Sequence, residues 1–283
     1  MHHKKKTHRE RVEELLNTLD KGVREFEYSP EQFAAVLEMK ALMPSYSFRN
    51  LMLAKAQLPG ASFLAGFKHW KELGRSVQKG ERALRILAPK IVKKENKKGE
   101  EEDTLVGFVA IPVFDVSQTE GDPLPIDKLQ IELEGDCPEA QQIIEVATKM
   151  AENDDCPIFY GDTGNAKGYY QPHLHRITVS SALSVNHCAK TLVHELVHSR
   201  VDCMDYLVKS SEEKEVVAEG TAFIICRYFG LDTSDYSFQY VKGWAKQSES
   251  PLLDYGEKIA KTAGQLIQEF ETIQKEISSL QTA

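Results

Sequence analysis

The order of apolar and polar positions predicts that the front of the chain is helical. In residues 12–26 apolar side chains recur every three or four positions, which is typical of an amphipathic helix. Residues 30–58 continue the helical pattern, and Pro44 divides it into two helices. A short aromatic helix is predicted at residues 63–73. The first strands are predicted only after these helices.

The pattern then changes to that of strands. Residues 83–92 and 104–114 are rich in β-branched and aromatic side chains, and the charged residues 93–103 between them predict an exposed hairpin loop. Residues 121–136 contain proline, glycine and many acidic side chains but little periodicity. We therefore expect a linker there.

The back of the chain combines short strands with longer helices. Strands are predicted near residues 158–160, 168–171 and 176–180. Helices are predicted near residues 138–153, 185–201, 212–228, 234–246 and 252–280. Together the patterns predict an α+β fold of two domains, with helices and a β-hairpin in residues 1–120 and a second domain in residues 137–283.

Composition and charge narrow the class of protein. The 283 residues include 35 Lys and Arg, 43 Asp and Glu, a net charge of -8 and 41% hydrophobic residues, which excludes a collagenous or disordered chain. Residues 1–100 carry 21 basic and 12 acidic side chains, or +9, whereas the rest carry 14 and 31, or -17. The basic front predicts a polyanionic partner. Five scattered cysteines, with no apolar leader or membrane-spanning run, lead us to expect a cytoplasmic protein without membrane contact.

The strongest chemical signal is the sequence H-E-L-V-H, which contains His194, Glu195 and His198. Residues four apart leave the same face of a helix, so both imidazoles can bind one ion, and Glu195 is close enough to touch its water. Leu192 and Leu196 fall on the opposite face and are predicted to be buried. The combination is typical of a zinc hydrolase, and Mn²⁺ or another divalent ion would also suit these ligands.

A tetrahedral zinc with one open position needs a third protein ligand. The next helix offers Glu215 and Glu219, which are again four residues apart. We predict Glu219 as the ligand and Glu215 as the acceptor of a histidine N–H, and the reverse assignment stays open. The predicted chemistry is peptide hydrolysis, in which Glu195 activates the metal-bound water that attacks a peptide carbonyl.

The strand predicted at residues 176–180 lies just before the metal helix in the sequence. If it is an edge strand, an extended peptide substrate can pair with it. An internal strand that binds no peptide is an equal alternative.

The basic front half interleaves aromatic and cationic side chains. Single-stranded nucleic acid needs cations to follow its phosphates and flat rings to stack on its bases, whereas duplex DNA would use the cations alone. The residues predicted to bind nucleic acid are Tyr46, Arg49, Asn50, Lys68, Trp70, Lys71, Arg75, Lys79 and Arg85. Alternatively, Phe63, Phe67 and Trp70 form one buried helical stripe, and we expect at least two of these rings in the core.

Several segments carry a resemblance to a known family. They are residues 46–50, 67–74, 77–81 and 113–115 in the front half, and residues 191–198, 217–219 and 222–223 in the back half. The chain resembles the ArdC-type antirestriction proteins of mobile elements, which join a single-stranded-DNA-binding domain to a zincin-like metallopeptidase domain. The resemblance implies an antirestriction protein with both properties. Similarity to the ImmA/IrrE-like peptidases further implies Glu219 as the third ligand.

Two other functions are compatible with the same residues. One is a regulatory metalloprotease that cleaves a repressor or a DNA-bound protein. The other is a DNA-binding protein whose metal is purely structural, which a fourth ligand such as His173 or Cys203 would favour. Double-stranded DNA is the alternative nucleic-acid partner.

Overall fold

The computed structural model describes residues 7–95, 101–124, 137–202, 210–231, 233, 236, 238–244 and 251–281. Its elements group into two compact units. The first unit comprises Met1–Glu27 and Phe48–Leu124, and the second comprises Tyr28–Ser47 and Pro125–Ala283. The mixture of helices and strands confirms the predicted α+β class. Most of the predicted linker, residues 125–136, lies outside the described residues.

Helices and short strands alternate along the described residues. The helices are α1 (His8–Arg24), α2 (Pro30–Leu42), α3 (Phe48–Gln57), α4 (Phe67–Glu72), α5 (Pro138–Asn153), α6 (Val185–Asp202), α7 (Ser211–Tyr228), α8 (Val241–Trp244) and α9 (Leu252–Gln281). The strands are β1 (Leu64–Ala65), β2 (Arg75–Val77), β3 (Leu84–Glu95), β4 (Glu101–Asp115), β5 (Thr119–Gly121), β6 (Ile158–Gly161), β7 (Gly168–Gln171) and β8 (Arg176–Ser180). No helix among the described residues is long and apolar enough to cross a membrane.

A long antiparallel hairpin of β3 and β4 dominates the first unit, and β1 adds a third strand beside β4. A separate antiparallel pair is formed by β2 and β5. Helix α1 begins at a capping box in which Thr7 and Glu10 satisfy each other's backbone N–H groups. Its apolar side chains Leu15 and Leu19 are buried, as the helical periodicity predicts.

The structure corrects the hairpin loop predicted at residues 93–103. Strand β3 continues to Glu95, strand β4 begins at Glu101, and Lys93 lies opposite Asp103. Lys93 also forms an ion pair with Glu101 at 3.1 Å. Opposite charges across the two strands favour pairing in a segment whose composition alone suggests a loop.

The second unit contains a three-stranded sheet in the order β6-β8-β7. Strand β8 pairs in parallel with β6 and antiparallel with β7. The edge position considered for residues 176–180 is therefore wrong, because both sides of β8 are occupied. Ile177 and Val179 of β8 are fully buried. The outer strands of this sheet are β6 and β7, and either edge is where an extended chain would have to pair.

Helix α2 belongs to the second unit, which differs from the predicted grouping of residues 1–120. Phe33 of α2 makes edge-to-face ring contacts with Phe238 and Trp244, each at 5.4 Å between centroids. Glu38 of the same helix pairs with Arg227 of α7 at 3.8 Å. These contacts hold α2 in the second unit although its sequence precedes the hairpin. The exact domain limits remain a prediction.

Candidate metal centre

Helix α6 carries the histidine pair predicted from the sequence. His194 and His198 lie one turn apart with their Nε2 atoms 3.1 Å from each other. On the opposite face Leu192 and Leu196 are fully buried, as predicted. The buried leucines fix the rotation of α6 about its axis, so that both imidazoles lie on the face turned away from them.

Helix α7 brings a carboxylate to the two imidazoles. Glu215 Oε1 lies 3.3 Å from His194 Nε2, and Glu215 Oε2 lies 3.2 Å from His198 Nε2. Ligands bonded at about 2.0–2.1 Å in a tetrahedral site are separated by about 3.3 Å. The three separations of 3.1–3.3 Å match this value. Two imidazoles and one carboxylate thus fit three ligands of a divalent ion, with the fourth position left for a non-protein ligand.

The structure places Glu215 beside the two histidines, whereas the sequence predicts Glu219 there. Among the described residues, the group of possible metal ligands whose atoms lie within 4.8 Å of one another consists of His194, His198 and Glu215. Glu219 does not join this group but acts electrostatically on His194 and lines the adjacent cavity. The reason is axial position, because four residues along α7 displace the carboxylates by about 6 Å. Of the alternatives for a fourth protein ligand, His173 is not in the group, and Cys203 lies outside the described residues.

The charges at the centre stabilise one another. Hydrogen bonds from His194 and His198 hold the pKa of Glu215 well below its usual range, and burial opposes them. For His194, burial lowers the pKa, but the hydrogen bond to Glu215 and the charges of Glu195 and Glu219 outweigh it and raise the pKa overall. This anionic surrounding favours a cation at the imidazoles, whether a proton or a metal ion.

Glu195 has the environment of a general base. It is 7% exposed, and burial raises the pKa of its carboxyl group above the usual value. The positive charges of His194 and His198 and a backbone hydrogen bond from Tyr170 oppose this shift without cancelling it. A carboxylate with a raised pKa, beside two metal ligands, is better suited to accept and return a proton than a carboxylate with the usual pKa.

A cavity of about 260 Å³ opens beside this centre. It is lined by Lys167, Gly168, His187, Lys190, Thr191, His194, Glu195, Glu219 and Tyr236. A Cβ atom on Gly168 would lie 2.6 Å from Thr191 Cγ2, so the glycine permits close packing of β7 on α6. Sequence reasoning did not identify His187 and Lys190, although their spacing of seven and four residues before His194 places them on the same helical face.

Three of the predicted nucleic-acid-binding side chains serve the fold of the first unit, which corrects their assignment. Asn50 donates to Leu87 O and accepts from Leu87 N, both at 2.9 Å. Trp70 is fully buried and donates from Nε1 to Phe114 O at 3.1 Å. The guanidinium of Arg75 binds Thr119 and two carbonyl oxygens near the end of β5. These groups are already engaged within the fold.

The other predicted side chains differ in position. Arg49, Lys68, Lys71, Lys79 and Arg85 are exposed in the first unit. Tyr46 is half-buried and belongs to the second unit. Phe67 is 50% exposed, and Lys71 Nζ lies 5.1 Å from the centre of its ring. Phe63, by contrast, packs edge-to-face on Trp70, with the ring centroids 5.6 Å apart. The expectation of at least two core rings is therefore wrong, because Trp70 is fully buried, Phe63 is half-buried and Phe67 is exposed.

Comparison with known proteins agrees with this architecture. Residues 5–115 match the family described as the N-terminal domain of anti-restriction factor ArdC. The metal-free crystal structure of the antirestriction protein ArdC from plasmid R388 matches at a TM-score of 0.52 and 23% identity, over 79% of this chain and 83% of that chain. Residues 5–115 are therefore similar to the ArdC N-terminal domain, and the chain shares the fold of the R388 protein over 79% of its length.

Two further matches set the extent of the similarity. The Mn(II)-bound structure of the R388 protein matches this chain at a TM-score of 0.49 and 22% identity, over the same shares of both chains. The uncharacterized protein pXO2-81 of Bacillus anthracis is 26% identical over 322 residues, which cover 96% of this chain and 53% of that protein. This chain thus spans about half the length of this curated relative.

Proposed function

We propose that this chain is an ArdC-type antirestriction protein of a mobile element that binds single-stranded DNA through its first unit and cleaves peptide bonds with its second. The observation that supports the peptidase most strongly is the buried Glu195 beside the triangle of His194, His198 and Glu215. Glu195 would serve as the general base, and it lines the adjacent cavity through which a substrate would reach it.

His194, His198 and Glu215 would hold the metal ion. Zn²⁺ is the preferred ion for two imidazoles and one carboxylate, and Mn²⁺ is the alternative. When bound, such an ion polarises a carbonyl group and lowers the pKa of a coordinated water. Glu219, one turn along α7, is the alternative third ligand and otherwise supports His194 electrostatically.

Glu195 carries the proton through the reaction. It accepts a proton from the attacking water and later donates it to the nitrogen of the leaving amine. Burial raises the pKa of the Glu195 carboxyl group, which makes it a stronger base than an exposed carboxylate. Strand β7, which begins at the cavity with Gly168, is the strand that we expect an extended substrate to lie beside.

The first unit supplies the proposed DNA surface. Phe67 offers an exposed ring for base stacking, and Lys68 and Lys71 flank it on the same short helix. Arg49, Lys79 and Arg85 are further exposed cations of this unit.

The metal assignment is tested by elemental analysis of the purified full-length chain. His194→Ala and Glu215→Gln should each lose the bound ion, because each removes one side of the ligand triangle. Glu219→Gln should retain it, and Glu212→Gln, an exposed change on the same helix, is the matched control. Loss of the ion in Glu219→Gln and its retention in Glu215→Gln would restore the assignment predicted from the sequence.

The peptidase is tested with Glu195→Gln. This variant should keep the metal and the DNA affinity but lose cleavage of a mixture of cellular peptides, read by mass spectrometry. If antirestriction survives the change, cleavage serves another task, as in a regulatory protease. If the zinc-loaded wild-type chain cleaves nothing and shows four protein ligands to its ion, the metal is structural.

DNA binding is tested by fluorescence anisotropy with a labelled oligonucleotide. The affinity for single strands should fall steeply with salt as phosphate counterions are displaced, and Phe67→Ala should weaken it for single strands more than for duplex. A preference for duplex DNA, or an affinity that salt does not change, would refute single-strand binding.

A further inference from the structure

One end of the cavity beside Glu195 is lined by basic side chains. They are His187 and Lys190 of α6 and Lys167, which immediately precedes β7. This concentration is unusual for the sequence after residue 100, which carries 14 basic against 31 acidic side chains. The basic residues at the cavity are therefore the exception within an acidic half of the chain.

The position of the basic side chains follows from helix geometry. Lys190 and His194 are four residues apart and share a face of α6, with their Cα atoms separated by about 6 Å along the axis. His187 lies one further turn toward the N-terminus, and its Nδ1 is 3.0 Å from Ser184 Oγ. The metal-binding face of α6 thus continues into a basic segment.

Lys167 is held on the opposite wall by the sheet. Its backbone carbonyl accepts a hydrogen bond from Ser180 N at 2.8 Å, which extends the pairing of β7 with β8. The next residue, Gly168, packs so closely on Thr191 that it has no room for a Cβ atom. The two lysines are therefore carried by two elements in direct contact and not by a free loop.

The acidic groups of the cavity lie toward its other end. Glu195 is five residues after Lys190 on α6, about 7.5 Å along the axis, and Glu219 comes from α7. Tyr236 is the remaining polar side chain of the lining beside Thr191. Along α6 the lining therefore passes from the basic side chains of His187 and Lys190 to the metal ligand His194 and the acidic Glu195.

We propose that the cavity binds a carboxylate side chain of an acidic peptide between Lys167 and Lys190, close to the bond that Glu195 helps to cleave. This inference rests on the proposed peptidase function and specifies its substrate class. The cavity of about 260 Å³ is smaller than the roughly 300–1,000 Å³ typical of sites for drug-sized ligands, so it suits a single side chain. The side-chain carboxylate of the substrate then contacts the two lysines, and the carbonyl of the bond to be cleaved lies next to His194, His198 and Glu195.

The test measures binding separately from cleavage. The probes are two fluorescein-labelled twelve-residue peptides of alternating Glu and Ala or alternating Gln and Ala, titrated by anisotropy against zinc-loaded full-length Glu195→Gln. The acidic peptide should bind at least fivefold more tightly in low salt. Adding Lys190→Glu or Lys167→Glu should each lower its affinity by about fivefold or more, whereas Lys190→Arg should preserve most of it. Lys261→Glu, an exposed charge reversal on α9, should leave the preference unchanged.

The outcomes separate this inference from the function on which it rests. Equal binding of the two peptides overturns the inference. It is also overturned if an oligonucleotide displaces the acidic peptide and if Lys190→Glu weakens the binding of that oligonucleotide, because the cavity would then bind nucleic acid. Wild-type cleavage of peptides without acidic residues near the cut also overturns it while leaving the peptidase intact. Absence of any cleavage, with a lysine-dependent preference for the acidic peptide, refutes the peptidase but preserves the cavity's specificity.

Discussion

Gly168→Ala should loosen the contact between the sheet and the metal helix. An added Cβ would lie 2.6 Å from Thr191 Cγ2 and 3.0 Å from Thr178 O. An ordinary contact is about 3.5–4.0 Å, so β7 or α6 must move by about 1 Å. Overpacking of this kind costs about 1–3 kcal/mol. In a unit of this size it lowers the melting temperature by roughly 3–10 °C.

The assay is thermal denaturation followed by circular dichroism, together with zinc affinity. Gly161→Ala is the matched control, because this glycine is on β6 of the same sheet, where an added Cβ atom would have nothing within 4 Å and the backbone is not left-handed. We expect the control to melt at or slightly above the wild-type temperature. Zinc affinity should fall only in Gly168→Ala, since the residue that it displaces, Thr191, lies on α6 three residues before the ligand His194.

A second substitution tests the physical cause. Thr191→Ser alone should cost about 0.8 kcal/mol, because it removes one buried methyl group. In the Gly168→Ala background it removes the nearest obstacle and should recover part of the lost stability. The reasoning is refuted if Gly168→Ala melts like Gly161→Ala, or if Thr191→Ser has the same effect in both backgrounds.

Three further outcomes are expected. Asn50→Ala should destabilise the first unit by about 1–3 kcal/mol by leaving two backbone groups of β3 unpaired, and the DNA affinity of the folded fraction should not change. Burial lowers the pKa of Lys40 to about 8. Between about pH 8 and 10.5 the unfolded chain therefore binds more protons than the folded chain, and the free energy of unfolding should rise with pH. Denaturant titrations of Lys40→Met should show no such rise. Phe67→Ala should weaken binding of an oligonucleotide several-fold, whereas Phe159→Ala, an equally exposed ring of the second unit, should not change it in the same anisotropy assay.

The histidine pair could be predicted because it depends on one helix alone. The spacing of His194 and His198 places them on one face, and the buried leucines at positions 192 and 196 fix which face is inward. The choice between Glu215 and Glu219 depends instead on how far α7 is displaced along α6. That offset comes from packing between two helices, and a shift of one turn exchanges the two glutamates.

Strand order could not be predicted for the same reason. The pattern at residues 176–180 correctly predicted a strand, but alternation describes one strand and contains no information about its neighbours. The assignment of α2 to the second unit is also a tertiary effect, since Phe33 finds its partners Phe238 and Trp244 about two hundred residues later in the sequence. Local patterns predicted the elements, and long-range packing determined their neighbours.

The polar residues in segments 46–50 and 113–115 have a structural role, unlike those of the H-E-L-V-H sequence. Asn50 pairs with both backbone groups of Leu87, and the fully buried Asp115 accepts hydrogen bonds from Ser62 N and Phe63 N. Each side chain thus supplies hydrogen-bond partners for backbone groups of a neighbouring segment. These hydrogen bonds give Asn50 and Asp115 a role in holding the first unit together. The proposed DNA contacts are therefore best sought among exposed side chains such as Phe67, where the fold imposes no such requirement.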